Sequence, residues 1–163
     1  TKPIKHIMLN TNGIKIAKDF EFAKKLAGYM PNFEIYLQFD SFKPEALELM
    51  RGKDLTETRL KALEHLNELN LSTTLVVTLQ KGVNDDEIGE IIEFALKQKC
   101  VRGVTFQPTQ IAGRLDNFNP ATDRITLTDV RQSILEQTSI FQSNDIIPVP
   151  CNCLLYTSDA ADE

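Results

Sequence analysis

The side chains in this sequence that could meet a ligand are amides, hydroxyls and a carboxylate. They recur two residues apart: Asn10 and Asn12, Gln38 and Asp40, Thr78 and Gln80, with Gln107 alone further on. Each closes a short apolar or β-branched run. Strand side chains alternate in direction, so both members of a pair project from one face. Such a set suits a ligand with ribose hydroxyls, an adenine edge and an amino-acid moiety. Acyl transfer finds no support. No nucleophile–base pair stands out, and His6 and His65 fall at a strand start and on a helix, where structural histidines are the commoner case. Cys100, Cys151 and Cys153 make no disulfide framework, and Cys100, just before a strand, reads as a buried small hydrophobe.

The elements that must position these residues follow from a hydrophobic period that switches between strand-like and helix-like. The pattern predicts a strand over 6–12, closed by the turn signal Asn12-Gly13. Asp19 then caps a helix with Phe20, Ala23, Leu26, Ala27 and Met30 on one face. A second strand runs over 34–40, and a helix from Thr56 carries Leu60, Leu63 and Leu66 as its buried stripe. The third strand, 72–80, is almost uniformly apolar or Thr, as expected when both faces are covered. Asn84 and Glu87 resemble a capping box for a helix that buries Ile88, Ile91, Ile92 and Ala95. A fourth strand spans 101–109, a polar loop spans 111–123, and a last helix from about Thr128 buries Val130, Ile134 and Phe141. A short extended piece, 145–150, is broken by Pro148 and Pro150.

This β-α alternation demands an α/β fold with a parallel sheet and right-handed crossovers. A doubly wound nucleotide binder should open its first helix with G-x-G-x-x-G, but Ile14-Lys15 follows Gly13, which favours part of a barrel. A closed eight-stranded barrel takes about 250 residues; this chain has 163. With 42% hydrophobic and 25% charged residues the composition is that of a globular protein, and a net charge of −5 without a Lys/Arg run argues against nucleic acid. No apolar stretch approaches a membrane span and no signal peptide opens the chain, so a reducing cytoplasm is expected. The ends are unusual. Thr1 is followed almost at once by a strand, which reads as an interior cut, and residues 153–163 resemble a translated sequencing adapter. The expected division is therefore a partial barrel over 1–152, truncated at both ends, and a non-native tail over 153–163.

Four segments together resemble the radical SAM superfamily. Thr11-Asn12-Gly13 is similar to the TNG signature after its third barrel strand, and Tyr36-Leu37-Gln38-Phe39-Asp40-Ser41 to its fourth strand. Lys81-Gly82-Val83-Asn84-Asp85-Asp86-Glu87-Ile88 is similar to the turn after the fifth strand, and Val101 to Pro108 to the sixth. Leu49-Met50-Arg51-Gly52, Ala112-Gly113-Arg114, Arg124-Ile125-Thr126-Leu127 and Pro148-Val149-Pro150-Cys151 resemble one branch, that of archaeal tetraether-lipid synthases and pterin-methylating proteins.

The resemblance implies a partial (β/α) barrel of radical-SAM type, with strands three to six plus a C-terminal helix, and the N-terminal strands missing. It implies S-adenosylmethionine (SAM) and a [4Fe-4S] cluster that together generate a 5′-deoxyadenosyl radical for C–H activation. The core cluster cysteines, a C-x3-C-x2-C loop, are absent here, so the piece itself is expected to be inactive. Asn12, Gln38 and Asp40 would lie near methionine or ribose, Thr78 beside them, and Gln107 at the adenine. Gln38 departs from the Ser that many relatives carry. Cys151 would begin an auxiliary cluster's ligands. The implied partners are a small-molecule or lipid substrate and a reductant such as ferredoxin or flavodoxin, and the implied reaction is methylation or C–C bond formation. Arg51 and Arg114 follow strands and could meet a carboxylate or phosphate. Plainer readings stay open: Asn12-Gly13 as a simple turn, Thr78 as core lining, Arg51 and Arg114 as solvated loop residues. The alternative is a non-radical β/α domain that binds a nucleotide-like or phosphorylated ligand.

Overall fold

A computed structural model describes residues 4–109 and 119–146, the side chains of 120 and 121 excepted. The expected features over 111–118 and 147–163, including Arg114, Cys151 and the tail, lie outside the described residues. The element order is β1 (Ile7–Thr11), α1 (Ile14–Lys18), α2 (Phe20–Ala27), β2 (Phe33–Gln38), α3 (Pro44–Arg51), α4 (Thr56–Glu68), β3 (Thr73–Leu79), α5 (Ile88–Leu96), β4 (Val101–Pro108), α6 (Pro120–Asp123) and α7 (Leu127–Gln137). The strands form one parallel sheet in the order β1-β2-β3-β4. A doubly wound sheet reverses its order at a switch point, whereas a barrel keeps winding one way. The sheet winds one way, as the partial (β/α) barrel requires.

Period-two alternation divides the sheet. Ile35, Leu37, Leu75, Val77 and Leu79 are fully buried in the helix-covered core, together with Ile16, Leu63, Leu66, Ile88 and Ile91. The other face carries lateral rows: Asn10, Tyr36, Thr74 and Gly103; then Gln38, Val76 and Thr105; then Thr78 and Gln107. At Thr73/Thr74 the register with β4 slips, and Arg102 is the extra residue of the irregularity.

Four sequence-based expectations change. First, α1 and α3 are helices that the periodicity does not single out. α1 is five residues long and breaks at Asp19, whose extended backbone lets its carboxylate cap α2 through the Phe22 amide. α3 is set by local chemistry: Pro44 opens it and Gly52, at φ 77°, closes it by donating an amide hydrogen bond to the Glu48 carbonyl. Second, Leu60 is 42% exposed, and the inward stripe of α4 is Arg59, Ala62, Leu63 and Leu66. That set keeps a helical period, with a charged residue in the place where an apolar one was sought. Third, Asn84 and Glu87 form no capping box; Glu87 is the residue before α5 and makes no side-chain cap bond. Both side chains have tertiary partners instead. Fourth, α7 starts at Leu127, close to the expected start, with a capping box from Thr126 and Asp129, but it ends at Gln137, so Phe141 lies beyond it.

Two contacts hold the loops that matter for the site. Phe39, Phe42 and Phe94 form an aromatic cluster with ring centroids 5.1–5.4 Å apart, pinning the chain just after β2 onto α5. At Gly89, a Cβ would lie 2.3 Å from the Gln137 carbonyl oxygen, so α5 and α7 can touch only because this residue has no side chain. Gln137 completes the contact by accepting from the Gly89 amide and donating to the Asp85 carbonyl.

Candidate functional site

The chain leaves β2 through Asp40, whose φ of 62° is left-handed, a conformation Asp tolerates better than most residues. Its carboxylate is fully buried and takes four hydrogen bonds. Oδ1 accepts from Arg51 Nη2 and from the Thr78 amide, each at 3.0 Å. Oδ2 accepts from Arg51 Nε and from Arg59 Nη2, each at 2.9 Å. A carboxylate has about four acceptor positions, so this one is saturated.

Arg51, the last residue of α3, is the centre of the arrangement. Its fork grips Asp40 in the bidentate geometry that favours Arg over Lys. Nη2 also donates to Thr78 Oγ1 at 3.0 Å. Gln38, with its amide oxygen turned inward, accepts from Nη1 at 3.1 Å and Nη2 at 2.7 Å. The Arg51 side chain is 26% exposed, whereas Arg59 behind it is 1% exposed. Burial pushes the Arg59 guanidinium below its ordinary pKa, and Asp40 opposes that shift.

A clasp between two loops keeps Asp40 in place. Asn84 Nδ2 donates to the carbonyls of Asp40 (2.9 Å) and Thr78 (2.8 Å), while its oxygen accepts from the Gln80 amide. Glu87, buried, accepts from the Ser41 hydroxyl and the Phe42 amide. Lys43 pairs with Asp86 at the rim, and that hydrogen bond raises its pKa. Asn84→Ala is expected to cost about 2–3 kcal/mol, because it leaves buried backbone groups unpaired. Urea unfolding measures it, and a loss below about 1 kcal/mol would show the clasp to be dispensable.

Of the expected site residues, Gln38, Asp40 and Thr78 are brought together, all through Arg51. Asp40 is turned inward on the two arginines. Asn12 is exposed, and its Oδ1 accepts from the Ile14 amide in a local turn. Gln107 is exposed opposite Thr78, outside the hydrogen-bonded set. The residues missed at first are Arg59, Asn84 and Glu87. Arg59 had a signal: it sits at the buried phase of an amphipathic helix, a position where a charge needs a partner. Cys100 is buried at the start of β4, and burial pushes its thiol up, which suits a packed cysteine better than a metal ligand. Among the described residues no group of three His, Cys, Asp or Glu could hold a metal ion.

Comparison with known proteins agrees with this layout. The model of the radical SAM superfamily matches residues 1–95. The chain is 39% identical over 150 residues to a 7,8-dihydro-6-hydroxymethylpterin dimethyltransferase of Methanocaldococcus jannaschii, covering 89% of this chain and 29% of that protein. It is 31% identical over 114 residues to a GTP 3′,8-cyclase of Nautilia profundicola (68% of this chain, 34% of that protein), and 32% identical over 91 residues to a probable GTP 3′,8-cyclase of Thermococcus kodakarensis (56% and 28%). The chain thus spans about a third or less of the length of these relatives. With a one-way parallel sheet, a polar set at its carboxyl end and a family match over more than half its length, the chain belongs to the radical SAM superfamily.

Proposed function

We propose that this segment forms a SAM-facing wall in a radical SAM enzyme acting on an unactivated C–H bond. The observation that carries this reading is Arg51. Its guanidinium is locked by Gln38, Asp40 and Thr78 beside the carboxyl ends of β2 and β3, yet remains partly exposed. Ligands of β/α folds bind at those ends. A fixed guanidinium there suits the methionine carboxylate, while the Gln38 amide and Thr78 hydroxyl fit the polar atoms next to it. Asp40 in this reading orients Arg51, Asn12 and Gln107 border the ribose and adenine, and both loops exclude water from the ion pair.

The cofactors divide by fit. The polar face suits SAM, whereas the sole described cysteine is buried in the core, so the thiolates for a [4Fe-4S] cluster have no place among the described residues. Cys151 remains a proposed auxiliary ligand. When bound, SAM and a reduced cluster supply radical chemistry; this chain's residues supply the carboxylate grip and the wall. The names of the relatives favour methylation or C–C bond formation on a pterin-like or nucleotide-like small molecule, with ferredoxin or flavodoxin as reductant. No helix among the described residues is long and apolar enough to cross a membrane, which fits the proposed cytoplasmic setting.

The gene region upstream of Thr1 tests this reading. It should encode a C-x3-C-x2-C loop followed by a Gly-Gly-Glu-Pro-like strand, and a coding region without them would leave a non-radical ligand-binding domain. The 163-residue chain, treated with ferrous iron and sulfide, should show no broad absorbance near about 400 nm. A reducible cluster in residues 1–152 alone would refute the division proposed here.

A further inference from the structure

Behind β2, two guanidiniums share one carboxylate within hydrogen-bonding distance. Asp40 is the carboxylate that both Arg51 and Arg59 contact, and Asp54 acts on Arg59 only at a distance. Arg59 donates through Nη2 alone, and its Nε and Nη1, both out of contact with solvent, have no partner among the described residues. Burying a guanidinium with two idle donors is costly, and packing alone would be met more cheaply by Leu or Met at this position.

We propose that Arg59 is a positioning residue that acts through Arg51: it leaves the Asp40–Arg51 unit with an unmatched positive charge, so that the exposed edge of Arg51 receives a carboxylate. This inference rests on the reading of Arg51 given above. A lone Asp40–Arg51 pair would be neutral and would offer an incoming anion little net attraction. A second guanidinium, held on the same carboxylate oxygen and screened from water, makes the pair net cationic. It also occupies Oδ2 from behind, which leaves the Arg51 fork a single way to sit.

The test uses two adenosine thioethers and the 163-residue chain. S-adenosylhomocysteine carries the amino-acid carboxylate, and 5′-methylthioadenosine lacks the amino-acid moiety. Affinities are read by titration in amide NMR spectra, which tolerate weak binding and report the folding of each variant. The wild-type chain should prefer S-adenosylhomocysteine. Arg59→Gln, which keeps a polar side chain but carries no charge, should lower that affinity about tenfold and leave 5′-methylthioadenosine unchanged. Arg59→Lys should restore the preference. A folded Arg59→Gln chain that keeps its preference, or weakens both ligands equally, overturns the proposal, as does an Arg59→Lys chain that fails to recover it. A wild-type chain that binds both ligands equally, or neither, overturns instead the SAM-wall reading beneath it.

Discussion

Replacing Asp40 by Asn should cost the fold about 3–5 kcal/mol, the usual penalty for breaking a buried ion pair from one side. The substitution is informative because Asn tolerates the left-handed backbone of residue 40, so the change is electrostatic rather than conformational. It removes the charge that faces both guanidiniums and leaves Arg59, already short of partners, with none that is charged within hydrogen-bonding distance. The urea midpoint, with an unchanged slope, reads the loss. The double variant Asp40→Asn with Arg59→Met should recover much of it, since replacing a buried pair by apolar volume is often neutral. A loss below about 1 kcal/mol for the single variant would place the pair among solvated, weakly coupled charges.

Gly13→Ala should cost about 2–4 kcal/mol, through two additive causes. The residue sits at φ 80°, where a Cβ costs about 1–2 kcal/mol. That Cβ would also lie 2.9 Å from Leu37 Cδ1 and 3.2 Å from Ala62 Cβ, overpacking the contact between the β1–α1 turn, β2 and α4. Gly52→Ala separates the causes. Gly52 has φ 77° but its Cβ would meet nothing within 4 Å, so its cost should stop at about 1–2 kcal/mol. Equal losses in the two variants, measured by thermal unfolding, would remove the packing argument for the Thr11-Asn12-Gly13 segment.

This glycine shows where reading the sequence worked and where it stopped. Asn12-Gly13 was legible as a turn because the signal is local: an Asx side chain and a residue free to take positive φ. The strands were legible for the same reason, since period-two alternation in 34–40 and the apolar run in 72–80 need no knowledge of their neighbours. That Gly13 also admits Leu37 and Ala62 was not legible, because those atoms are contributed by β2 and α4.

The same division runs through the site. Gln38, Asp40 and Thr78 could be picked from the sequence as polar strand ends sharing a face. Their partner Arg51 could be read as able to meet a carboxylate or phosphate, but more readily as a solvated loop arginine, because nothing local says that α3 turns it back over β2. Arg59 was passed over for Leu60, one position away. A helix stripe is decided by which face meets the sheet, and the ion pair with Asp40 outweighed one leucine. Asn84 and Glu87 matched a local capping pattern, and the tertiary bonds to Asp40, Thr78, Ser41 and Phe42 won.

What the sequence determined alone is the order of β and α segments and the polar ends of the strands, both products of short-range periodicity and side-chain chemistry. Only the tertiary structure decided that Asp40 faces inward on two arginines and that Arg51 faces out. A buried charge finds its partner across the fold, at separations of 11 and 19 residues here, which no local pattern encodes.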